Sequence, residues 1–542
     1  MSMPGATCFS RLNDRKILLA QTVMTALGLA LALWRAAGSN LLRSDSPSYL
    51  YFDPSRTIGY PAFLGFVRLV TGHVVWAAPV QMALLAGALL TLGWSFHRFG
   101  RRPLLSLAFQ ALLIGSPEMW KISALIMTEA LATACVALWC AQLLLMLKAP
   151  SRTGTAILVA ISAVGTIVRP SLAALFVATA LFELAVGSRT GRGRALVMIG
   201  AGMLAAWVAT PLGLYLVNGA TTTSSPLARG VLQHTLFCSP RDMVRDADSK
   251  FVELNASPVR QYVETAPPDI LPDLKRIYSG ELRFGLIIPA LGERHKLESG
   301  WQTDPIIARV AKERVEANPM CYAKSVIAAD FRMATYGVAR SPGVANRIRD
   351  FIAAHPPVRV PAAPLLPRDR RDSLKAANEF HEPPPFPLPP AMPFKVTDKS
   401  PLLLILITRL LFSGAALLGL LSVFALAIRP KIALRDWNGV AGMAALGAAF
   451  HGMIAITAIV ELGLTRYTVP VWPVVCTLLG IAVLGPFGTH SWQRDPALPK
   501  EGAGSPWRRR EGSGEAAADK FRLPAGRFHQ APGRSRFRAA RG

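Results

Sequence analysis

The stretch DSPSYLYFDPSRTIGYPAFL, residues 45–64, decides how this chain is read. It lies between an apolar run, Ile17–Trp34, and a second that starts at His73, and it is itself too polar to sit in lipid. It carries two carboxylates, Asp45 and Asp53, one guanidinium, Arg56, and three phenols, Tyr49, Tyr51 and Tyr60. A short loop at a membrane surface that gathers proton acceptors, an anion binder and aromatic rings reads as a site.

Composition puts the whole chain in the same setting. Of its 542 residues 51% are hydrophobic and 17% charged, and the apolar residues come in long blocks, which marks a polytopic membrane protein. The formal charge of +26 does not call for nucleic acid as a partner, because much of the Lys and Arg lies in short connectors and in the C-terminal tail.

Ile17–Trp34 is long enough to cross a hydrocarbon core of ~30 Å at ~1.5 Å per residue. It follows Arg11, Arg15 and Lys16, so a signal peptide competes; the length of the run favours an uncleaved helix. Further apolar segments run over 73–96, 104–115, 124–147, 155–168, 171–186, 195–217, 402–428, 440–459 and 469–484. The expected fold is therefore all-α and polytopic, with about ten transmembrane helices. Three of them, 104–115, 155–168 and 171–186, are shorter than the ~20 residues usual for a span; they either leave a cavity beneath the surface or are accommodated by local thinning and flanking residues.

Alternate connectors are basic: Arg98, Arg101 and Arg102; Lys148 and Arg152; Arg189, Arg192 and Arg194; Arg429, Lys431 and Arg435. The positive-inside rule makes these loops and both termini cytoplasmic. The opposite, extracytoplasmic side then receives the first loop, the turn at Pro117, Arg169-Pro170, the polar region 218–400 and the turn at Arg466.

The organisation expected from these patterns is an N-terminal membrane domain, 1–217, whose seven spans include the first extracytoplasmic loop, 35–64. A mostly helical extracytoplasmic region, 218–354, follows. Residues 355–400 are a proline-rich extended linker with PPPFPLPP at 383–390, and 401–487 supply three more spans. Residues 488–542 form a basic cytoplasmic tail with too few large apolar side chains to fold.

Among six cysteines no CxxC pair and no Cys/His cluster has metal spacing, so no metal site is assigned. Cys238 and Cys321 both fall in the polar region, where a disulfide between them and two free thiols are the alternatives, set by the redox state of the compartment. No phosphate-binding loop, dinucleotide fingerprint or nucleophile elbow stands out.

Four features on the extracytoplasmic side could carry chemistry. Asp45 and Asp53 offer a general base or a hold on a divalent cation. Glu129, in IMTEALATA (126–134), sits in the outer half of an apolar segment, where a carboxylate is costly and needs a partner or water. Arg56, Arg169 and Arg466 present planar forks that fit phosphate oxygens, against the plainer role of anchoring to headgroups. Arg466 leads RYTVPVWPVV (466–475), an Arg-Tyr pair before a proline-interrupted segment. Glu183 and His451 read as structural.

Two of these patterns, the loop Asp45…Arg56…Gly59-Tyr60-Pro61 and the element Arg466-Tyr467-x-x-Pro470-x-x-Pro473, resemble those of the GT-C membrane glycosyltransferases that use polyprenyl-phosphate sugars. The loop has Ile58 where a proline is frequent in that family, and Ser46 where the protein-mannosylating branch has a second acid. The resemblance implies a GT-C-like fold in a bacterial inner membrane, facing outwards. It implies transfer of a sugar from a polyprenyl-phosphate donor to an extracytoplasmic glycan, lipid or protein, with inversion. Asp45 and Glu129 would be the catalytic carboxylates, and Arg56, Tyr60, Arg169, Arg466 and Tyr467 would bind the substrate. No cofactor is certain; a divalent cation remains open. An O-antigen-type polymerase or ligase with a lipid-linked oligosaccharide donor, and a lipid or glycan transporter, are the alternatives.

Overall fold

The structure, a computed structural model, describes residues 5–36, 46–50, 56–186, 189–218, 226–238, 246–297, 300–335, 342–356, 402–428, 439–460 and 465–488. Asp45, Asp53, the proline-rich stretch and the basic tail lie outside them. The described residues are about 90% helical, without strands among them.

Helices α1 (Gly5–Ala36), α2 (Ser46–Leu50), α3 (Gly59–Thr71), α4 (Ala77–Gly100), α5 (Pro103–Ile114), α6 (Pro117–Ser123), α7 (Glu129–Lys148), α8 (Arg152–Val168), α9 (Ala174–Val186) and α10 (Arg189–Asn218) form the N-terminal part. Helices α11 (Pro226–Thr235), α12 (Ala247–Val263), α13 (Leu271–Glu281), α14 (Ile288–Arg294), α15 (Asp304–Ala317), α16 (Pro319–Ala334) and α17 (Pro342–Ala354) make up the polar region. The C-terminal part contains α18 (Leu402–Ile428), α19 (Gly439–Val460) and α20 (Trp472–Gly488), with a 3-10 turn, Thr465–Val471, leading into the last.

Seven helices among the described residues are long and apolar enough to cross a membrane: Asp14–Trp34, Val74–Gly100, Glu129–Lys148, Gly191–Gly213, Ile405–Ile428, Gly439–Ile459 and Arg466–Leu484. The three segments expected to be short form shorter apolar helices, Pro103–Ile114, Arg152–Val168 and Pro170–Val186. This is an all-α membrane protein.

One continuous apolar core joins α4, α7, α9, α19 and α20, with Trp139, Phe182, Phe412 and Phe450 fully enclosed. Glycine allows one close crossing. A Cβ on Gly447 of α19 would stand 2.6 Å from the Cα of Gly419 in α18, so the two backbones touch where neither carries a side chain. Polar side chains knit the first helices: Gln21 of α1 donates to the Gly93 carbonyl of α4 at 3.0 Å, and Gln110 of α5 donates to Thr25 at 2.8 Å. Helix α1 is thereby tied into the bundle.

Both residues read as structural have local partners. Glu183 accepts from the Thr155 hydroxyl at 2.6 Å, and His451 Nε2 lies 3.0 Å from the Ala416 carbonyl.

The polar region has its own apolar core, built from Leu232, Val252, Leu274, Tyr278, Leu291 and Val310. Its charged hub is Glu253, which receives hydrogen bonds from Arg260 and, at 2.8 Å, from Arg314. The same guanidiniums bind the carbonyls of Leu236, Thr235 and Cys238, fixing the segment that ends in Cys238. Cys238 and Cys321 form a disulfide that ties this segment to the start of α16.

Candidate functional site

Helices α4 and α7 lie side by side and run the same way, which sorts the bundle into two ends. At one end Lys148 Nζ reaches the Arg98 carbonyl at 3.4 Å, so two of the basic connectors meet there. At the other, Gln81 in the first turns of α4 donates to the carbonyls of Ser123 and Leu125 at 2.8 and 2.6 Å, just ahead of α7. The candidate residues gather at this second end.

Helix α7 begins at Glu129 itself, not at residue 124 as the apolar run suggests, because 124–128 form an irregular connection after α6. The carboxylate therefore stands in the first turn, where the helix dipole favours negative charge. It is 2% exposed. Its Oε1 lies 3.4 Å from Arg169 Nη1 and 3.9 Å from Arg466 Nε, while Oε2 is buried with no hydrogen-bond partner among the described residues.

Local structure explains how both arginines arrive. Arg169 occupies an extended residue between α8 and the short 3-10 turn Pro170–Ala173; Pro170 cannot continue α8, and it bends the chain so that a side chain 40 positions along from Glu129 returns to it. Arg466 lies in the Thr465–Val471 turn, held over the bundle where Trp472 Nε1 donates to the Leu113 carbonyl at 3.1 Å. Tyr467 sits between them: the Arg169 and Arg466 guanidiniums lie 4.8 and 4.9 Å from its ring centroid, and Arg466 Nη2 is 2.8 Å from its hydroxyl.

The first loop joins this cluster through Tyr49. Arg56 Nη1 donates to the Tyr49 hydroxyl at 3.2 Å, its guanidinium lies 4.5 Å from that ring's centroid, and its Nε donates to Ser48 at 2.7 Å. Burial pushes the Tyr49 phenol up, partly offset by the positive charge of Arg56; Glu129 and Arg169 are also close enough to act on it. Ser46 donates to the Ile126 carbonyl at 2.9 Å, three positions before Glu129. Asp45, the preceding residue, and Asp53 lie outside the described residues.

Tyr60 is fully buried and donates to Gln81 Oε1 at 2.8 Å, with its ring edge-on to Tyr49 at 5.1 Å. It supports the site from below rather than lining it. Gly59 is required beside it: a Cβ there would stand 2.6 Å from the Ile167 carbonyl of α8. Thr57 donates to the Val168 carbonyl at 3.0 Å, so the loop is stitched to the residue before Arg169.

The structure thus brings together Arg56, Glu129, Arg169, Arg466 and Tyr467, with Tyr60 one layer below. Two guanidiniums, Arg169 and Arg466, face one carboxylate in a largely buried setting, and a third, Arg56, is linked to them through Tyr49. Such a site suits a phosphate-bearing ligand. Among the described residues no three of His, Cys, Asp or Glu come together, and Asp45 and Asp53, the acids read as a possible hold on a divalent cation, lie outside them. Cys238 and Cys321, in their disulfide, belong to the polar region and not to this cluster.

Sequence reasoning missed Gln81 and Ser46, the uncharged groups that hold the frame. Gln81 had a signal, an amide within an apolar segment, which needs partners as a carboxylate does.

No protein-family model matches the chain, and no curated protein or solved structure matches it.

Proposed function

We propose that this chain is a membrane glycosyltransferase of the GT-C kind, moving a sugar from a polyprenyl-phosphate donor to an extracytoplasmic acceptor. The observation that carries the reading is the buried Arg169–Glu129–Arg466 cluster, joined to Arg56 through Tyr49 at one end of an apolar bundle. A lipid phosphate that leaves an anomeric carbon gathers negative charge, and preorganised guanidiniums stabilise it without reorganising. The lipid chain stays in the bilayer while its phosphate meets Arg466, Arg169 and Arg56.

In this reading Glu129 holds Arg169 and Arg466 in place and offsets the repulsion between their like charges. Asp45 is the base: it takes the proton of the acceptor hydroxyl as that oxygen attacks the anomeric carbon. The C–O bond to phosphate breaks on the opposite face, so configuration inverts and polyprenyl phosphate is released. The anchoring of Ser46 beneath Ile126 supports a loop held firmly beside the arginines.

The topology that fits is ten crossings with the three short helices counted as spans, both termini cytoplasmic, and the cluster on the extracytoplasmic face of a bacterial inner membrane. The meeting of Arg98 with Lys148 at the far end of the bundle supports this sidedness.

The test is purified protein in lipid with a panel of polyprenyl-phosphate sugars and candidate acceptors, following free polyprenyl phosphate for wild type and Asp45→Asn. Release by wild type alone is expected. Wild-type turnover in Asp45→Asn removes the base assignment, and no release with any donor and acceptor removes the donor class.

A further inference from the structure

Helix α16 belongs to the polar region by sequence but packs as part of the membrane bundle. Ala329, Met333 and Ala334 lie in the same apolar core as the spanning helices, and Val326 packs against it. The helix touches α19, α18 and the Thr465–Val471 turn that carries Arg466. Asp330 of α16 interacts electrostatically with His451, nine residues before the end of α19 at Val460, or about 14 Å along its axis at ~1.5 Å per residue. Helix α16 therefore lies against the flank of a membrane-length helix, not above its end.

Its other side is apolar as well. Met320, Ile327 and Phe331 fall at spacings of seven and four, which puts them on one stripe opposite Ala329 and Met333. They are 56%, 66% and 66% exposed. Helix α18, which α16 touches, presents an exposed row of its own that includes Leu403, Leu406, Leu410 and Leu417, so the two apolar surfaces belong to neighbouring helices. Lys324 is the one charged residue on the stripe, and its long stem allows the ammonium to reach headgroups while its methylenes stay in the apolar phase.

We infer that the Met320–Ile327–Phe331 face of α16 is bedded in lipid, in the leaflet nearest the Arg466 turn. The occupant is the acyl and headgroup boundary of the bilayer. Depth beside α19, neighbouring apolar exposure on α18 and the lone lysine each fit lipid better than water. The inference stands whether or not the chain transfers sugars.

The test places one environment-sensitive fluorophore on Ile327→Cys, on Phe331→Cys, or on Lys312→Cys as an exposed reference in α15, each in the full chain with Cys8→Ser, the described free cysteines 135, 140 and 476 being buried. Each variant is reconstituted in phosphatidylethanolamine–phosphatidylglycerol vesicles, with retention of the Cys238–Cys321 disulfide as the check on folding. Expected at 327 and 331 are blue-shifted emission, at least twofold quenching by nitroxide-labelled lipid, and protection from aqueous iodide, with the reverse at 312. Iodide quenching at both positions as strong as at 312 overturns the inference. Blue-shifted emission that neither quencher reaches also overturns it, and assigns the stripe to a protein partner. The two positions are independent, so one misfolded variant leaves the other to decide.

Discussion

Arg169 Nη1 stands 3.4 Å from Glu129 Oε1, and Arg169 Nη1 and Glu129 Oε2 are buried with no hydrogen-bond partner among the described residues. A carboxylate placed between two guanidiniums and left with a bare second oxygen is held for electrostatic balance more than for packing.

Glu129→Gln therefore leaves Arg169 and Arg466 without their shared counter-charge. Breaking a buried pair by removing one partner costs about 3–5 kcal/mol. The expected result is a lower thermal midpoint in detergent and loss of turnover, with added inorganic pyrophosphate raising the midpoint of the variant more than that of wild type. Equal shifts would show that the arginines do not form an anion site.

Arg169→Ala and Arg466→Ala are each expected to weaken binding of polyprenyl phosphate at least tenfold, read as displacement of a fluorescent lipid phosphate. Because both arginines share Glu129 and Tyr467, the double variant should lose less than the sum of the two. Strict additivity would mean that they serve separate ligands.

How much of this site was legible in the sequence follows from what each residue costs. Glu129, Arg169 and Arg466 stand out because a charge beside long apolar runs is rare enough to demand a reason. That they meet was not legible, since it depends on Pro170 bending the chain and on the Thr465–Val471 turn folding over α7. The short helices α2 and α6, five and seven residues long, offer no periodicity to read. The apolar segments were visible from length and composition, yet the start of α7 at Glu129 was not, because residues 124–127 are as apolar as the helix that follows. That α16 packs on α19 was hidden by its Lys, Asp and Arg, which masked the small apolar face it turns to the bundle.

Gly59→Ala tests whether the first loop must sit against α8. The added methyl would meet the Ile167 carbonyl oxygen at 2.6 Å, and backbone cannot yield as a flexible side chain would. Separation of α3 from α8 would carry Arg56 and Tyr49 away from Arg169. Transfer is expected to fall at least tenfold while the polar region keeps its disulfide; unchanged activity would show that the loop position is irrelevant to function.

Glu253 offers a prediction in pH. Burial alone would raise its carboxyl, but hydrogen bonds from Arg260 and Arg314 outweigh that and hold it below the usual carboxylate range. The unfolded chain then binds the proton more readily, so the stabilisation is present above the ordinary value of 4.5 and is lost as pH falls through the lower, folded value. Asp248 behaves the same way: burial is outweighed by the hydrogen bond with His295 and the charges of Arg309 and Arg294. Unfolding of the polar region is expected to become easier below about pH 4.5. Glu253→Gln should flatten part of that dependence and, because it strands Arg314 and Arg260 in the interior, lower stability at neutral pH by about 3–5 kcal/mol. Hydrogen exchange of α11 and α12 reads both effects. If Glu253→Gln leaves the acid limb as steep as wild type, the arginines are balanced elsewhere, and the hub does not hold the segment that leads to Cys238.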